Sequence, residues 1–167
     1  MASYQWQGLE EYAQRLSRAM NNTESVCREA VYEMAKAVAD QVKENLRALP
    51  SVPDAENIKA WKNGEKSRLS RKQKKGLIES FGISSMKNDG GYINVKLGFD
   101  GYNDVKTQKY PNGQPNAMIA RVCESGSSHM DKTPFMRRAV NQAKGEAIQR
   151  AQATIDRAIS TEVRTRI

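Results

Sequence analysis

Apolar residues recur along this chain in two rhythms, one helical and one strand-like, and the change of rhythm divides it into three parts. Over residues 8–20 the helical spacing puts Leu9, Tyr12, Ala13, Leu16, Ala19 and Met20 on one face. Asn21, Asn22 and Thr23 interrupt that pattern and offer N-cap oxygens to a second helix, with Glu24 in its first turn. The second helix is expected over 24–49. Val26, Ala30, Met34, Val38, Val42 and Leu46 step by four beside a second row, Cys27, Val31, Ala35 and Ala39. Two adjacent rows make a stripe wide enough to bury, with Glu, Lys and Gln opposite. Such a helix spans on the order of 37 Å. Pro50 stops it, and Pro53 keeps the following residues extended.

Residues 50–70 carry no clear period and read as a polar loop that turns basic. Ser70-Arg71-Lys72-Gln73 has the form of a capping box, opening a short helix that ends near Phe81 and Gly82. The strand rhythm follows. Ile93, Val95, Leu97 and Phe99 alternate with Tyr92, Asn94, Lys96 and Gly98, predicting one buried and one wet face. Asn88-Asp89-Gly90-Gly91 is a turn signal, so 82–86 is the expected hairpin partner. The polar stretch 99–114 is long enough to be either a mobile loop or one ordered by a partner. Pro115 then opens a short helix over 116–125 closed by Gly126. Thr133 and Pro134 are placed as N-cap and first-turn residues of a last helix reaching about 163. Its four-residue row is Ala139, Ala143, Ala147, Ala151, Ile155, Ile159 and Val163, and its small members suit close approach to the alanine-bearing face of the second helix.

These elements predict a single α+β domain over residues 1–167, with long N-terminal and C-terminal helices packed on a small antiparallel sheet. Its parts are the N-terminal helices (1–49), a basic polar loop (50–70), a β-hairpin region with short helices and an extended loop (71–132), and the C-terminal helix (133–167). The length of 167 residues allows a modest core. No internal repeat or low-complexity tract is present. The N-terminal residues lack the basic and apolar regions of a secretion signal, and no apolar run is long enough for a membrane span. Cys27 and Cys123 belong to no CxxC pair and read as small buried thiols of a reducing cytoplasm.

Reactive chemistry is sparse. His129 is the single histidine, in the loop-like run Ser127-Ser128-His129-Met130-Asp131, and neither Cys123 nor a nearby serine carries a nucleophile signature. The glycines match no phosphate-binding pattern, and no EF-hand or HExxH spacing occurs. No catalytic residue, cofactor or metal site is therefore expected.

Charge adds one feature. The formal net charge is +8, and Lys62, Lys66, Arg68, Arg71, Lys72, Lys74 and Lys75 lie within fourteen residues opposed only by Glu65. In one reading this run meets DNA phosphates, with Trp61 or Tyr92 near for stacking. In the other it is a solvated loop that keeps the protein soluble. No helix-turn-helix, zinc-finger or ribonucleoprotein motif accompanies it. Arg150, Arg157 and Arg164 recur every seven residues and share a helix side, read first as a wet face and second as an interface or phosphate row.

A resemblance enters at the segment from Pro115 to Ser128, followed by Thr133-Pro134-Phe135-Met136-Arg137-Arg138-Ala139. It resembles the tail-completion or head–tail joining proteins of long-tailed phages, the minor-tail-protein-Z-like group. Their short helix ends in Glu-aromatic-Gly-Thr/Ser, and a Pro-Phe-Φ-Arg-x-Ala start opens a long C-terminal helix. Gly76-Leu77-Ile78-Glu79-Ser80 matches the segment that leads into that family's hairpin. The sharp motifs cover about a fifth of the chain, and Ser125 departs from the usual aromatic. The resemblance carries over to Glu124, Gly126, Pro134, Phe135 and Arg138 as residues that fix geometry.

What the resemblance implies is a non-enzymatic virion protein assembled in the host bacterial cytoplasm. It would form a homo-oligomeric ring in the neck, at the head–tail junction, through which DNA passes. Its partners would be copies of itself, adjacent phage neck and tail proteins, and genomic DNA contacted without sequence preference in the lumen; no membrane is involved. The alternative is a sequence-nonspecific DNA-binding accessory protein.

Overall fold

The structure, a computed structural model, describes residues 22–164. The chain runs α1 (Thr23–Ala48), α2 (Asp54–Lys62), α3 (Arg71–Ser80), β1 (Phe81–Ile83), β2 (Lys87–Asp89), β3 (Tyr92–Asn94), β4 (Leu97–Phe99), α4 (Asn116–Ser125) and α5 (Met136–Arg164). This is the expected α+β class. The helix predicted over 8–20 lies outside the described residues.

The two long helices form the frame. Asp40 meets Arg150 at 3.7 Å, and Asn45 donates to Gln142 at 2.9 Å and to the Phe135 carbonyl at 3.2 Å. Rising numbers on α1 face falling numbers on α5, so the pair is antiparallel. Small residues make the close approach possible. Ala35 and Ala39 are buried on α1, as are Ala139, Ala143, Ala147 and Ala151 on α5.

The predicted rows hold over most of their length and then drift. A strict four-residue step turns 40° per repeat away from a fixed line, because an α-helix advances 100° per residue. Past Ala151 the buried position moves to Thr154, while Ile155 and Ile159 are 39% and 57% exposed. Thr154 satisfies its hydroxyl by donating to the Arg150 carbonyl at 3.0 Å. On α1 the same drift leaves Met34 exposed and Ala37 buried. Val163 lies outside the residues whose side chains are described. Arg150 belongs to the seam between the helices, bridging Asp40 and Glu146, and so is not part of a wet row.

Below the frame, Val42, Leu46, Leu77, Ile119, Cys123 and Phe135 form the centre of the core. Phe99 links the hairpin to it, with ring centroids 5.2 Å from Phe81 and 5.9 Å from Phe135. The hairpin is one long ribbon in two registers. Phe81–Ile83 pairs with Leu97–Phe99, and Lys87–Asp89 pairs with Tyr92–Asn94 around a Gly90-Gly91 turn. The partner strand is therefore longer than the expected 82–86. Between the two registers, Ser84 accepts and donates to Lys96 through its hydroxyl and backbone N–H. The ribbon's apolar side, Ile93, Val95, Leu97 and Phe99, is only half-buried, and Tyr92 on the wet side is 72% exposed.

One expectation needs correcting. Residues 54–62, read as loop, form helix α2. Asp54 and Glu56 stand in its first turn and Lys59 and Lys62 in its last, each favourable to the helix dipole. It escaped a hydrophobic reading because none of its residues is buried. The polar stretch 99–114 has local structure of its own. Its stem closes on itself: Asn103 N donates to the Gln114 carbonyl at 2.9 Å and Asn116 N to the Gly101 carbonyl at 3.0 Å. Thr107 and Tyr110 exchange backbone hydrogen bonds at its tip. This is an Ω-loop. Gly76 lets its stem sit on α3, because a Cβ there would fall 2.6 Å from Asn103 Cβ and 2.7 Å from Asn116 Oδ1.

Candidate functional site

The residues singled out by sequence fall in two places, the junction between α4 and α5 and the basic surface around α2 and α3. At the junction, α4 ends on Gly126, whose φ of 77° lies in the left-handed region and whose N–H donates to the Val122 carbonyl at 2.7 Å. The chain then doubles back, and Thr133 N donates to the Cys123 carbonyl at 2.7 Å.

This reversal brings the Glu124 carboxylate to the start of α5. Its Oε2 accepts from the N–H of Phe135 at 2.9 Å and of Met136 at 3.0 Å. Its Oε1 accepts from the N–H of Arg137 at 3.0 Å. A negative charge thus satisfies three amides that the helix itself leaves unpaired, at the positive end of its dipole. Phe135 is 1% exposed in the core, and its carbonyl accepts the Ala139 N–H at 3.0 Å. Pro134 precedes it where no N–H donor is required.

The expected cap is thereby corrected. The helix begins at Met136, two residues later than the Thr133-Pro134 pattern implies, and its capping group comes from α4. Of the motif residues, Glu124, Gly126, Pro134 and Phe135 meet at this junction, and Arg138 points outward, exposed.

No nucleophile is assembled here. Cys123 is 0% exposed, and burial pushes its thiol up to about 11, so it stays protonated at neutral pH. His129 is exposed on the loop, where its carbonyl accepts from Ser67 N at 2.7 Å and Ser67 Oγ at 3.0 Å. Among the described residues no cluster of three His, Cys, Asp or Glu side chains could hold a metal ion.

The basic run is spread over two helices and much of it is engaged internally. Ser70 caps α3 through a full capping box with Gln73, as its spacing predicts. Lys74 Nζ donates to the carbonyls of Arg47 at 2.8 Å and Leu49 at 2.7 Å, closing the C-terminus of α1. Lys66 pairs with Asp131 at 2.6 Å, Lys72 with Asp54 at 3.2 Å and Lys75 with Glu79 at 3.8 Å. Lys62, Arg68 and Arg71 are exposed and make no ion pair among the described residues. A cleft of about 290 Å³ lies between α2 and residues 65–68, lined by Val52, Glu56, Asn57, Lys59, Glu65 and Lys66 among others. Two carboxylates among its cations make it a poor cradle for phosphate.

Sequence reasoning missed two features. One is the role of Glu124, whose capped amides lie eleven to thirteen residues away. The other is α2, with Ile58 56% and Trp61 75% exposed. No helix among the described residues is long and apolar enough to cross a membrane. The chain matches no family model, no curated protein and no solved structure.

Proposed function

We propose that this chain is a non-catalytic structural protein of a long-tailed phage, a tail-completion or neck protein that forms a ring at the head–tail junction. The observation that carries the reading is the junction built by Glu124, Gly126, Pro134 and Phe135. The residues that resemble the tail-completion motif are those that lock α4 to the start of α5. A family motif whose residues serve a hydrogen-bonded corner and not a reaction fits a building block. The buried, protonated Cys123 and the exposed His129 fit the same reading.

In such a ring the genome passes through the lumen, and a positive but sequence-blind wall suits it. Four of the seven cations in the basic run are committed to internal ion pairs or to the α1 cap. Contact with a negatively charged neighbour therefore falls mainly to Lys62, Arg68 and Arg71. The alternative, a free-standing sequence-nonspecific DNA-binding protein, predicts a DNA affinity that falls with salt and is lost when the run 62–75 is neutralised.

Native mass spectrometry of the chain mixed with the virion proteins encoded beside it tests the reading. The expected result is a closed oligomer of one stoichiometry. A chain that stays monomeric under those conditions contradicts it.

A further inference from the structure

Helix α2 is held to the molecule by polar contacts and turns its apolar side chains to water. The Asn57 amide pairs with the backbone of Arg68 on both edges, donating to its carbonyl at 2.7 Å and accepting from its N–H at 2.8 Å. Asp54 pairs with Lys72 at 3.2 Å, and Glu65 N donates to the Ala60 carbonyl at 2.8 Å. Asn57 and Ala60 line the cleft beneath the helix. Ile58 and Trp61, one turn apart, stand on the other side, 56% and 75% exposed, beside the exposed Ala55 and Lys62. A nine-residue helix is not stable alone in water. This one is fixed in place with its largest side chains unused by the core.

We propose that the outer face of α2 is a docking helix, seating Ile58 and Trp61 in an apolar groove of a different protein whose rim carries Asp and Glu. Helix-in-groove recognition uses anchors at this spacing, and a large aromatic beside an aliphatic residue is the usual centre of such a contact. Charge defines the rim. Residues 50–75 hold eight Lys or Arg against three Asp or Glu, and Lys59, Lys62, Arg68 and Arg71 have no ion-pair partner among the described residues.

Among the described residues, the two long helices of a second copy do not offer that rim. The carboxylates of α1 alternate with Arg28, Lys36, Lys43 and Arg47, and Glu24, Glu33 and Asp40 are paired with Arg28, Lys36 and Arg150. The described part of α5 has more cations than anions. Nor does a nucleic acid explain the surface. Stacking would use Trp61, but the exposed Ile58 one turn away has no role on a phosphate backbone.

The docking proposal rests on the assembly reading only in needing a protein neighbour. Its test places the photoreactive residue p-benzoylphenylalanine at position 61 of the full chain in infected cells. Cross-linked peptides are then sequenced by mass spectrometry. The expected product joins position 61 to another protein, at apolar residues with Asp or Glu within a few positions. Ile58→Asp or Lys62→Glu should each cut its yield at least tenfold. A cross-link to this chain's own peptides, a nuclease-sensitive adduct, or no product overturns the proposal. Particle fractionation separates the two ideas. A chain present in particles but not cross-linked at 61 refutes the docking helix alone. A chain cross-linked as expected but absent from particles refutes the neck assignment alone.

Discussion

Glu124 does more at the level of a single side chain than any other residue described. One carboxylate serves three amides at the head of a 29-residue helix. Glu124→Ala should destabilise the protein by roughly 2 kcal/mol, since the loss combines a helix cap with charge-assisted hydrogen bonds. Urea unfolding followed by circular dichroism measures this. Glu124→Gln, which keeps one acceptor oxygen without the charge, should fall between the two. Equal stability of all three proteins would show that water replaces the carboxylate at no cost. The residue was visible in the sequence as part of a motif, but its task was not. Local patterns identify caps within three or four positions, and Thr133-Pro134 supplied a credible but incorrect one. Gly126 was legible because a helix stop is a local event.

The elements divide along the same line. α1, α3 and α4 fall within a residue or two of their predicted bounds because each announces its own ends, by Pro50, by the Ser70–Gln73 box, and by Pro115 and Gly126. α2 was invisible to hydrophobic period because it buries nothing. The Ω-loop's stem is not legible locally, because Asn103 bonds to Gln114 and Asn116 to Gly101, pairings no short window contains. The α1–α5 seam was legible as two alanine-bearing rows, though the rows drift where the four-residue step overruns the helical period. That seam makes a sharp claim. Ala147 is 3% exposed against α1, and Ala147→Leu should cost about 1–3 kcal/mol by forcing the helices apart. Ile159→Ala, at a 57% exposed position, should change stability by less than about 0.5 kcal/mol. Comparable melting temperatures for the two variants would mean the seam is not close-packed.

At the scale of the molecule, two long helices hold a small core, with the hairpin and the Ω-loop packed on it through Phe99 and Asn103 and α2 attached by polar contacts. The basic charge concentrates around α2 and α3, where Lys66, Lys72 and Lys75 pair with carboxylates at the surface. An electron cryomicroscopy reconstruction of the assembled phage particle tests the central claim most directly. The account predicts a ring of this chain at the head–tail junction, with the α1–α5 pair recognisable in each subunit and DNA density within the lumen. A particle whose neck and tail density is fully assigned to other proteins would contradict it.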